Sequence, residues 1–159
     1  MSQLPSDLEI RPLRPAEEAG TAADMIASSE PWITLRRDRD ACLRILLDPT
    51  REVYAALAGG ELVGVLILHL AGLLNGYIQT VVVRPDWRGR GLGTRLIRFA
   101  EERIFSQSPN VFLCVSSFNT RAQRLYARLG YTKVGELKDY TIRGHDEYLL
   151  RKTRGPWLP

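Results

Sequence analysis

The sequence is poor in cysteine and has no long hydrophobic run, and both absences restrict the class of protein. Its two cysteines, Cys42 and Cys114, lie far apart in a chain without a secretion signal, which is typical of reduced thiols rather than of a disulfide. The longest apolar stretch, residues 62–74, is interrupted by two glycines and a histidine and is too short to span a bilayer. We therefore expect a cytoplasmic protein that does not associate with membranes.

Lysine is also scarce, with three residues, so arginine supplies most of the formal net charge of +4. Six arginines lie between residues 84 and 103. Arginine suits bidentate contacts with phosphate, so this cluster indicates a phosphorylated ligand. No platform of aromatic and basic residues accompanies the charge, so we expect no nucleic acid among the partners. Nucleic-acid binding, the weaker interpretation, would show as steeply salt-dependent association.

The chain is long enough for one compact domain over residues 1–159. Its composition, 45% hydrophobic and 25% charged, is typical of a soluble protein with a hydrophobic core. We expect the folded part of the domain to span about residues 8–152 and residues 153–159 to form a loose tail. The periodicity predicts the order β–α–α–β–β–β–α–β–α–β–β. Strands are predicted at 8–11, 53–58, 61–70, 77–83, 111–116, 131–135 and 145–151, and helices from Pro15, at about 38–47, at about 91–105 and from Thr120.

A glycine-rich loop follows the β-branched strand predicted at 77–83 and opens the third helix. It reads Arg88-Gly89-Arg90-Gly91-Leu92-Gly93-Thr94. Glycines let the backbone approach a ligand closely, and the free amides and dipole of a helix start favour an anion such as a pyrophosphate. A Walker A loop would need a lysine here, and a dinucleotide fingerprint would need glycine where Thr94 stands, so neither nucleotide-binding loop fits.

Two motifs together resemble the GNAT superfamily of acyl-CoA-dependent N-acyltransferases. The loop matches the family's Arg/Gln-x-x-Gly-x-Gly/Ala motif, and residues 119–131 match its second motif, Asn-x-x-Ala-x-x-x-Tyr-x-x-x-Gly-Phe/Tyr. The resemblance covers about residues 8–152. It implies a single α/β (α+β) domain with a central, twisted, mixed and mostly antiparallel sheet of about seven strands. That sheet is splayed in the middle and carries helices on both faces.

The resemblance also implies an activity and its site. The expected reaction is direct attack of a primary amine on acetyl-CoA in a ternary complex, without a metal, and the family allows a homodimer. The backbones of Val81, Val82 and Val83 would pair with the pantetheine arm. Asn119 would contact the cofactor near its thiol, and Tyr126 would stand beside the sulfur as general acid. The pyrophosphate would be held beside Arg88 by the amides of Gly89, Arg90, Gly91, Leu92, Gly93 and Thr94.

Structural roles are the alternatives for several of these residues. The three valines are also good strand residues, and the Leu92 side chain belongs to a core. Asn119 could be only a turn residue before the helix, at whose start Thr120 and Gln123 form a capping-box pattern. Tyr126 lies on the apolar stripe of the same helix and could serve packing alone.

The general base is not evident from the sequence. An alkylammonium has a pKa of about 10.4, so some group must accept its proton at neutral pH. Related N-terminal acetyltransferases often carry a glutamate at the position of Cys114, and this sequence lacks it. The candidates are Glu30, His69 or water held by backbone carbonyls. Cys114 could also carry an acyl group, although a buried, unreactive thiol is the simpler interpretation.

The acceptor site is expected, by resemblance, between residues 28–37 and residues 138–146. Glu30, Asp139, Tyr140 and Asp146 could attract a cation, and Trp32 could pack on it. A polyamine, an aminoglycoside-like molecule, a lysine side chain and a protein N-terminus fit this description equally well. The competing hypothesis, motivated by the missing carboxylate at 114, is a non-catalytic acyl-CoA-binding sensor with the same fold.

Overall fold

The computed structural model describes residues 3–159, which fold in the predicted order of strands and helices. A short 3₁₀ turn, Pro85–Trp87, precedes the third helix. The elements are β1 (Glu9–Pro12), α1 (Pro15–Ala27), α2 (Arg39–Leu46), β2 (Glu52–Ala58), β3 (Glu61–His69), β4 (Tyr77–Val83), α3 (Leu92–Phe105), β5 (Asn110–Ser116), α4 (Thr120–Arg128), β6 (Thr132–Ile142) and β7 (His145–Thr153).

The strands of residues 3–159 form one seven-stranded sheet in the order β1-β2-β3-β4-β5-β7-β6. Neighbouring strands are antiparallel except for β4 and β5, which run parallel at the centre. A parallel pair needs a crossover, and here α3 makes it. The prediction of a mixed, mostly antiparallel sheet is confirmed.

The central pair is also where the sheet opens. β4 and β5 pair at Tyr77 with Phe112 and at Ile78 with Leu113, and the strands then diverge toward their carboxyl ends. Just after these pairs, the register between β3 and β4 shifts between Ile67 and Leu68, so that Gln79 is an extra residue in β4. Such a bulge bends its strand and increases the local twist. The predicted splay is therefore present at a definite place.

Helices cover both faces of the sheet and bury two separate apolar clusters, as predicted. α3 packs on one face because its apolar residues recur at helical spacing, and α1 packs on the other. Fully or almost fully buried residues on the α3 side include Leu66, Leu92, Leu96, Ile97, Ile104 and Leu113. Those on the α1 side include Ala22, Ala23, Ile26, Val65 and Ile67.

Two local predictions were wrong. β6 runs to Ile142 rather than ending near residue 135, and its segment 138–141 bulges between the pairs Leu137–Glu147 and Ile142–His145. The capping box is absent because Asn119, not Thr120, caps α4, its side chain accepting from the Ala122 amide at 3.2 Å. Gln123 instead donates to two carbonyl oxygens of the preceding turn.

Gly76 lies at the start of the short parallel pairing of β4 with β5 and contributes a hydrogen bond to it. Its carbonyl accepts from the Phe112 amide at 2.9 Å, and its φ of 88° lies in the left-handed region. A Cβ at this position would overlap the Asn110 carbonyl oxygen and approach Ile104 Cγ2 to 2.6 Å. The parallel pairing that precedes the opening therefore begins at a residue that only glycine fits.

We predict that Gly76→Ala lowers the free energy of unfolding by about 2–5 kcal/mol, because backbone strain and overpacking add. The control is Gly60→Ala in the β2–β3 turn. Gly60 also has a positive φ, 80°, but an added Cβ meets nothing within 4 Å, so strain alone is expected. Urea denaturation of both variants measures the difference. Equal losses would show that the close packing around Gly76 is unimportant.

Candidate active site

Two connected cavities lie where β4 and β5 separate. We call the one of about 330 Å³ beside α1 and α2 the inner cavity, and the one of about 690 Å³ beside the glycine-rich loop and α4 the outer cavity. The residues that line both cavities mark the place where they join: Glu30, Trp32, Val81, Asn119, Ala122 and Tyr126. Molecules bound in the two cavities would therefore meet between Val81 and Tyr126.

The glycine-rich loop forms one end of the outer cavity. Gly91 is the N-cap of α3 with a φ of 89°, a backbone conformation that glycine adopts readily. The unpaired amides of the first helical turn point out of this end. Loop residues lining the cavity are Arg88, Gly89, Gly91, Gly93 and Thr94. Arg90 stacks on Trp87 with 4.8 Å to the ring centroid, and the Leu92 side chain is fully buried in the core.

The backbone of β4 alternates between its two neighbours. Arg84 donates its amide to the Val63 carbonyl of β3, so the register directs the amides and carbonyls of Val83 and Val81 away from β3. The backbone amide and carbonyl of Val82 face β3, and the Val82 side chain is buried on the α1 side of the sheet. The Val83 carbonyl accepts from Arg88 Nε at 3.1 Å. Val81 is therefore the residue of β4 whose backbone is open to a ligand in the splay.

Three arginines of α4 complete the outer cavity. Arg121, Arg124 and Arg128 are exposed and lie on one side of the helix at spacings of three and four, and they line the cavity with Arg88. These three were not predicted from the sequence, where the arginines near the glycine-rich loop alone indicated a phosphorylated ligand. Their helical spacing directly after Asn119 was the available signal. The outer cavity is suited to an anion with more than one phosphate.

Tyr126 stands at the junction of the cavities. Burial raises the pKa of Tyr126 to about 12, so the phenol remains protonated at neutral pH. Its ring packs edge-on against Tyr131, with 5.8 Å between centroids. Within residues 3–159 no side-chain hydrogen bond engages its hydroxyl, whereas Tyr131 donates to Glu101 Oε1 at 3.0 Å. A protonated phenol with a free hydroxyl is suited to donate to a ligand.

The predicted acceptor residues surround the inner cavity. Trp32 is half-buried, Tyr140 is mostly exposed on the β6 bulge, and both line the cavity. Glu30 is exposed at the junction, where its carboxylate accepts from the Thr34 amide at 3.2 Å and the Thr34 hydroxyl at 2.9 Å. His69 and Cys114 also line the inner cavity, and burial raises the pKa of the Cys114 thiol.

Two acidic residues of the expected acceptor segment have other partners. Asp146 accepts from Lys138 Nζ and from the Asp139 amide, both at 3.1 Å. Asp139 accepts from the Gly144 amide at 2.6 Å. Both carboxylates therefore hold the β6–β7 turn, and neither lines a cavity. That these two carboxylates attract a cation stays a prediction from the sequence.

A carboxylate that the sequence analysis missed faces the inner cavity. Glu147 of β7 is 6% exposed, and its Oε1 accepts from Ser116 Oγ of β5 at 2.7 Å. Burial raises its pKa above the ordinary value, against the opposing effects of the Ser116 hydrogen bond and of the Arg37 and His145 charges. No signal in the sequence separates Glu147 from Asp146 beside it, because the strand register decides which one turns inward.

Two further features bear on the kind of site. Among residues 3–159 there is no group of three or more histidine, cysteine, aspartate or glutamate side chains that could hold a metal ion. No helix in the same residues is long and apolar enough to cross a membrane.

Comparison with known proteins identifies the family. The model of the acetyltransferase (GNAT) family matches residues 17–131, which is more than half of the chain. The chain belongs to the GNAT family. It is thus an acetyltransferase, and the sequence-based prediction of an enzyme is confirmed over that of a non-catalytic sensor.

Two curated relatives of this GNAT protein are N-acetyltransferases. N-alpha-acetyltransferase RimI of Mycobacterium tuberculosis is 30% identical over 137 residues, which cover 84% of this chain and 82% of RimI. Aminoalkylphosphonate N-acetyltransferase of Salmonella typhimurium is 35% identical over 99 residues, covering 58% of this chain and 64% of that protein.

A solved structure confirms the fold. An aminoglycoside 6′-N-acetyltransferase complexed with coenzyme A superposes with a TM-score of 0.74 at 18% identity, and the match covers 95% of this chain and 99% of that one.

Proposed function

We propose that this GNAT protein transfers the acetyl group of acetyl-CoA to a primary amine by direct attack in a ternary complex. The observation that carries the proposal is the pair of cavities that join at Tyr126. One cavity offers glycines, helix amides and arginines to a phosphorylated molecule. The other offers aromatic and acidic side chains to a cation. A reaction between the two ligands needs them held together, and orientation alone supplies much of the rate.

The cofactor would lie in the outer cavity, with its pyrophosphate at the N-terminus of α3 and its pantetheine arm along β4. Backbone pairing of an extended ligand with an exposed strand is a general mode of recognition. Val81 is the strand residue with a free backbone, and the Val83 carbonyl becomes available if Arg88 releases it. Asn119 uses its side-chain oxygen to cap α4, so its amide nitrogen is the group available to the cofactor near the thiol.

The acceptor amine would enter the inner cavity past Glu30 and Trp32. The names of the two relatives differ in acceptor but have a primary amine in common, which supports this class of acceptor. Glu30 is one of the candidate bases from the sequence, and its exposure at the junction lets it attract an ammonium group. The attack needs a proton acceptor and a proton donor but no metal. Cytoplasmic location and a homodimer remain predictions from the sequence.

Consumption of acetyl-CoA with a panel of amines tests the function. The panel contains peptide N-termini, peptides with internal lysine, polyamines, aminoglycosides and aminoalkylphosphonates. We expect thiol release that depends on at least one amine, together with the mass increase of one acetyl group on that amine. Binding of acetyl-CoA without turnover of any amine in the panel would contradict the proposal that the acceptor is a primary amine of these classes.

The phosphate loop is tested by Gly91→Glu. A charged side chain at the N-cap of α3 would repel the pyrophosphate and strain the backbone, so we expect CoA binding to fall at least 100-fold by calorimetry. Gly60→Glu is the matched control, since its φ of 80° is similarly positive, it meets nothing within 4 Å, and it lies in the distant β2–β3 turn. Unchanged CoA binding by Gly91→Glu would remove the phosphate-loop assignment.

The arginines of α4 are tested by Arg124→Ala. We expect the KM for acetyl-CoA to rise roughly 2- to 10-fold with kcat nearly unchanged, because an exposed charge contributes the same attraction before and during the reaction. The effect should shrink at high salt. Arg98→Ala, also exposed but lining neither cavity, should leave the KM unchanged. Equal effects of both substitutions would indicate general surface charge rather than a phosphate contact.

Tyr126→Phe tests the proton donor. When the tetrahedral intermediate collapses, CoA leaves as a thiolate, whose thiol has a pKa near 8.5 by analogy with cysteine. A phenol beside the sulfur donates to that charge more strongly in the transition state than in the ground state. We expect kcat to fall roughly 10- to 1,000-fold with acetyl-CoA binding and stability near normal. Full kcat in this variant would make Tyr126 a packing residue.

A further inference from the structure

Glu147 differs from every other acidic residue near the site in its burial. Within residues 3–159 the inner cavity is lined by two carboxylates, and Glu30 is exposed whereas Glu147 is 6% exposed. Burying a carboxylate costs free energy unless it is paired, and no salt bridge to Glu147 exists in this part of the chain. A buried, unpaired carboxylate at the wall of a cavity lowers stability, and such groups are typical of functional sites.

One oxygen of Glu147 is held and the other is free. Oε1 accepts from Ser116 Oγ, which lies on the paired residue of β5 and is itself 2% exposed. Oε2 has no hydrogen-bond partner among the described residues. Among the described residues, every fully buried side-chain nitrogen or oxygen has a hydrogen-bond partner. Since Oε2 has no partner, it is not fully buried and opens to the cavity. The carboxylate is thus oriented by β5 and presents one oxygen to a bound molecule.

The register places this carboxylate on the same sheet face as Cys114. Cys114 pairs with Leu149 and Ser116 with Glu147, and residues directly opposite each other share a face. On this face β5 carries Cys114 and Ser116 and has no glutamate, and β7 supplies Glu147 opposite Ser116. Resting on the proposed function, we propose that Glu147 is the general base that takes the proton from the acceptor's ammonium group.

In the proposed reaction two protons leave the amine nitrogen, one bond forms and one bond breaks. Glu147 Oε2 takes one proton from the ammonium, which leaves a neutral amine and a carboxylic acid. The nitrogen lone pair forms the N–C bond to the thioester carbonyl carbon, and collapse of the intermediate breaks the C–S bond with its electron pair on sulfur. The nitrogen's second proton reaches the sulfur through the Tyr126 hydroxyl, giving the amide and CoA thiol. Glu147 then releases its proton to solvent.

Several titratable groups face Glu147 from the elements around it. Arg37 of the loop between α1 and α2 and His145 of β7 favour its ionised form. Tyr77 of β4 and Cys114 of β5 lie within reach of its charge, and burial raises the pKa of each of them, so both are neutral at pH 7. Tyr140 of β6 also lines the inner cavity. Burial of Glu147 raises its pKa, which makes the carboxylate a stronger base than an exposed one.

Glu147→Gln tests the proposal, since it keeps the volume and the acceptor for Ser116 while removing the base. We expect kcat/KM for the amine to fall roughly 10²- to 10⁴-fold at pH 7 with the Kd for acetyl-CoA unchanged. In the parent protein kcat/KM should show an acid limb, a fall with decreasing pH below a pKa that lies above the ordinary glutamate value of about 4.3. In the variant this inflection should be absent, and kcat/KM should instead rise with pH toward the amine's own pKa, because only free amine reacts. The variant's deficit should shrink as the pH approaches the amine's own pKa of about 10.4.

Three further variants make the result specific. Glu102→Gln, an exposed change on α3 that lines neither cavity, should behave as the parent protein. Glu147→Asp should retain the acid limb with a reduced kcat. Glu30→Gln, at the junction, should raise the KM for the amine and also retain the acid limb. Folding raises the pKa of Glu147, so its ionised form lowers the free energy of unfolding at pH values above that pKa. The melting temperature of Glu147→Gln at pH 7 should therefore be equal to or higher than that of the parent protein.

The outcomes separate this inference from the proposed function. Parent-like kcat/KM and an intact acid limb in Glu147→Gln would overturn the role of Glu147, with the transferase activity standing. The role of Glu147 would also be overturned if Glu30→Gln were the one variant that lost the acid limb, since Glu30 would then be the base. Equal losses of acetyl-CoA binding and amine turnover in Glu147→Gln would assign the residue a structural role. Absence of amine turnover in the parent protein would overturn both proposals together.

Discussion

The separation of β4 from β5 is the constraint on which the site depends. The two strands pair at two positions before they diverge, and Gly76 lies at the start of that pairing. A continuous sheet would have consumed the backbone groups of Val81 in strand pairing and closed both cavities. The opening instead leaves an unpaired strand edge in the middle of the domain, with cores on both faces to keep it rigid. The proposed cofactor therefore completes a sheet that the chain leaves incomplete.

Local signals explain why much of the architecture could be predicted. Glycine pairs, prolines and helical periodicity act over a few residues, so the order of elements and the start of α3 at Gly91 followed from sequence. β6 was predicted too short because its bulge at 138–141 interrupts the alternation that indicates a strand. The cap of α4 was assigned to Thr120 because the sequence pattern fits two adjacent positions, and the turn geometry selects Asn119.

The clearest sequence signals for the site come from residues that are adjacent in sequence. The glycine-rich loop and the segment from Asn119 to Tyr126 each form a contiguous motif, and both line the cavities. Glu147 lies 31 residues from Ser116, and its direction depends on the register of β5 with β7. Asp146 next to it was the residue named from the sequence, yet alternation turns it to the surface, where Lys138 holds it. Long-range register is the information that composition and periodicity lack.

Burial has opposite chemical consequences for the two titratable groups of the proposed reaction. The low-dielectric surroundings disfavour charge, so they raise the pKa of both Glu147 and Tyr126. For the carboxylate this strengthens the base that must accept the ammonium proton. For the phenol, with a pKa of about 12, it preserves the protonated donor that the leaving thiolate needs. One physical cause, burial, thus favours proton uptake in the inner cavity and proton donation at the junction.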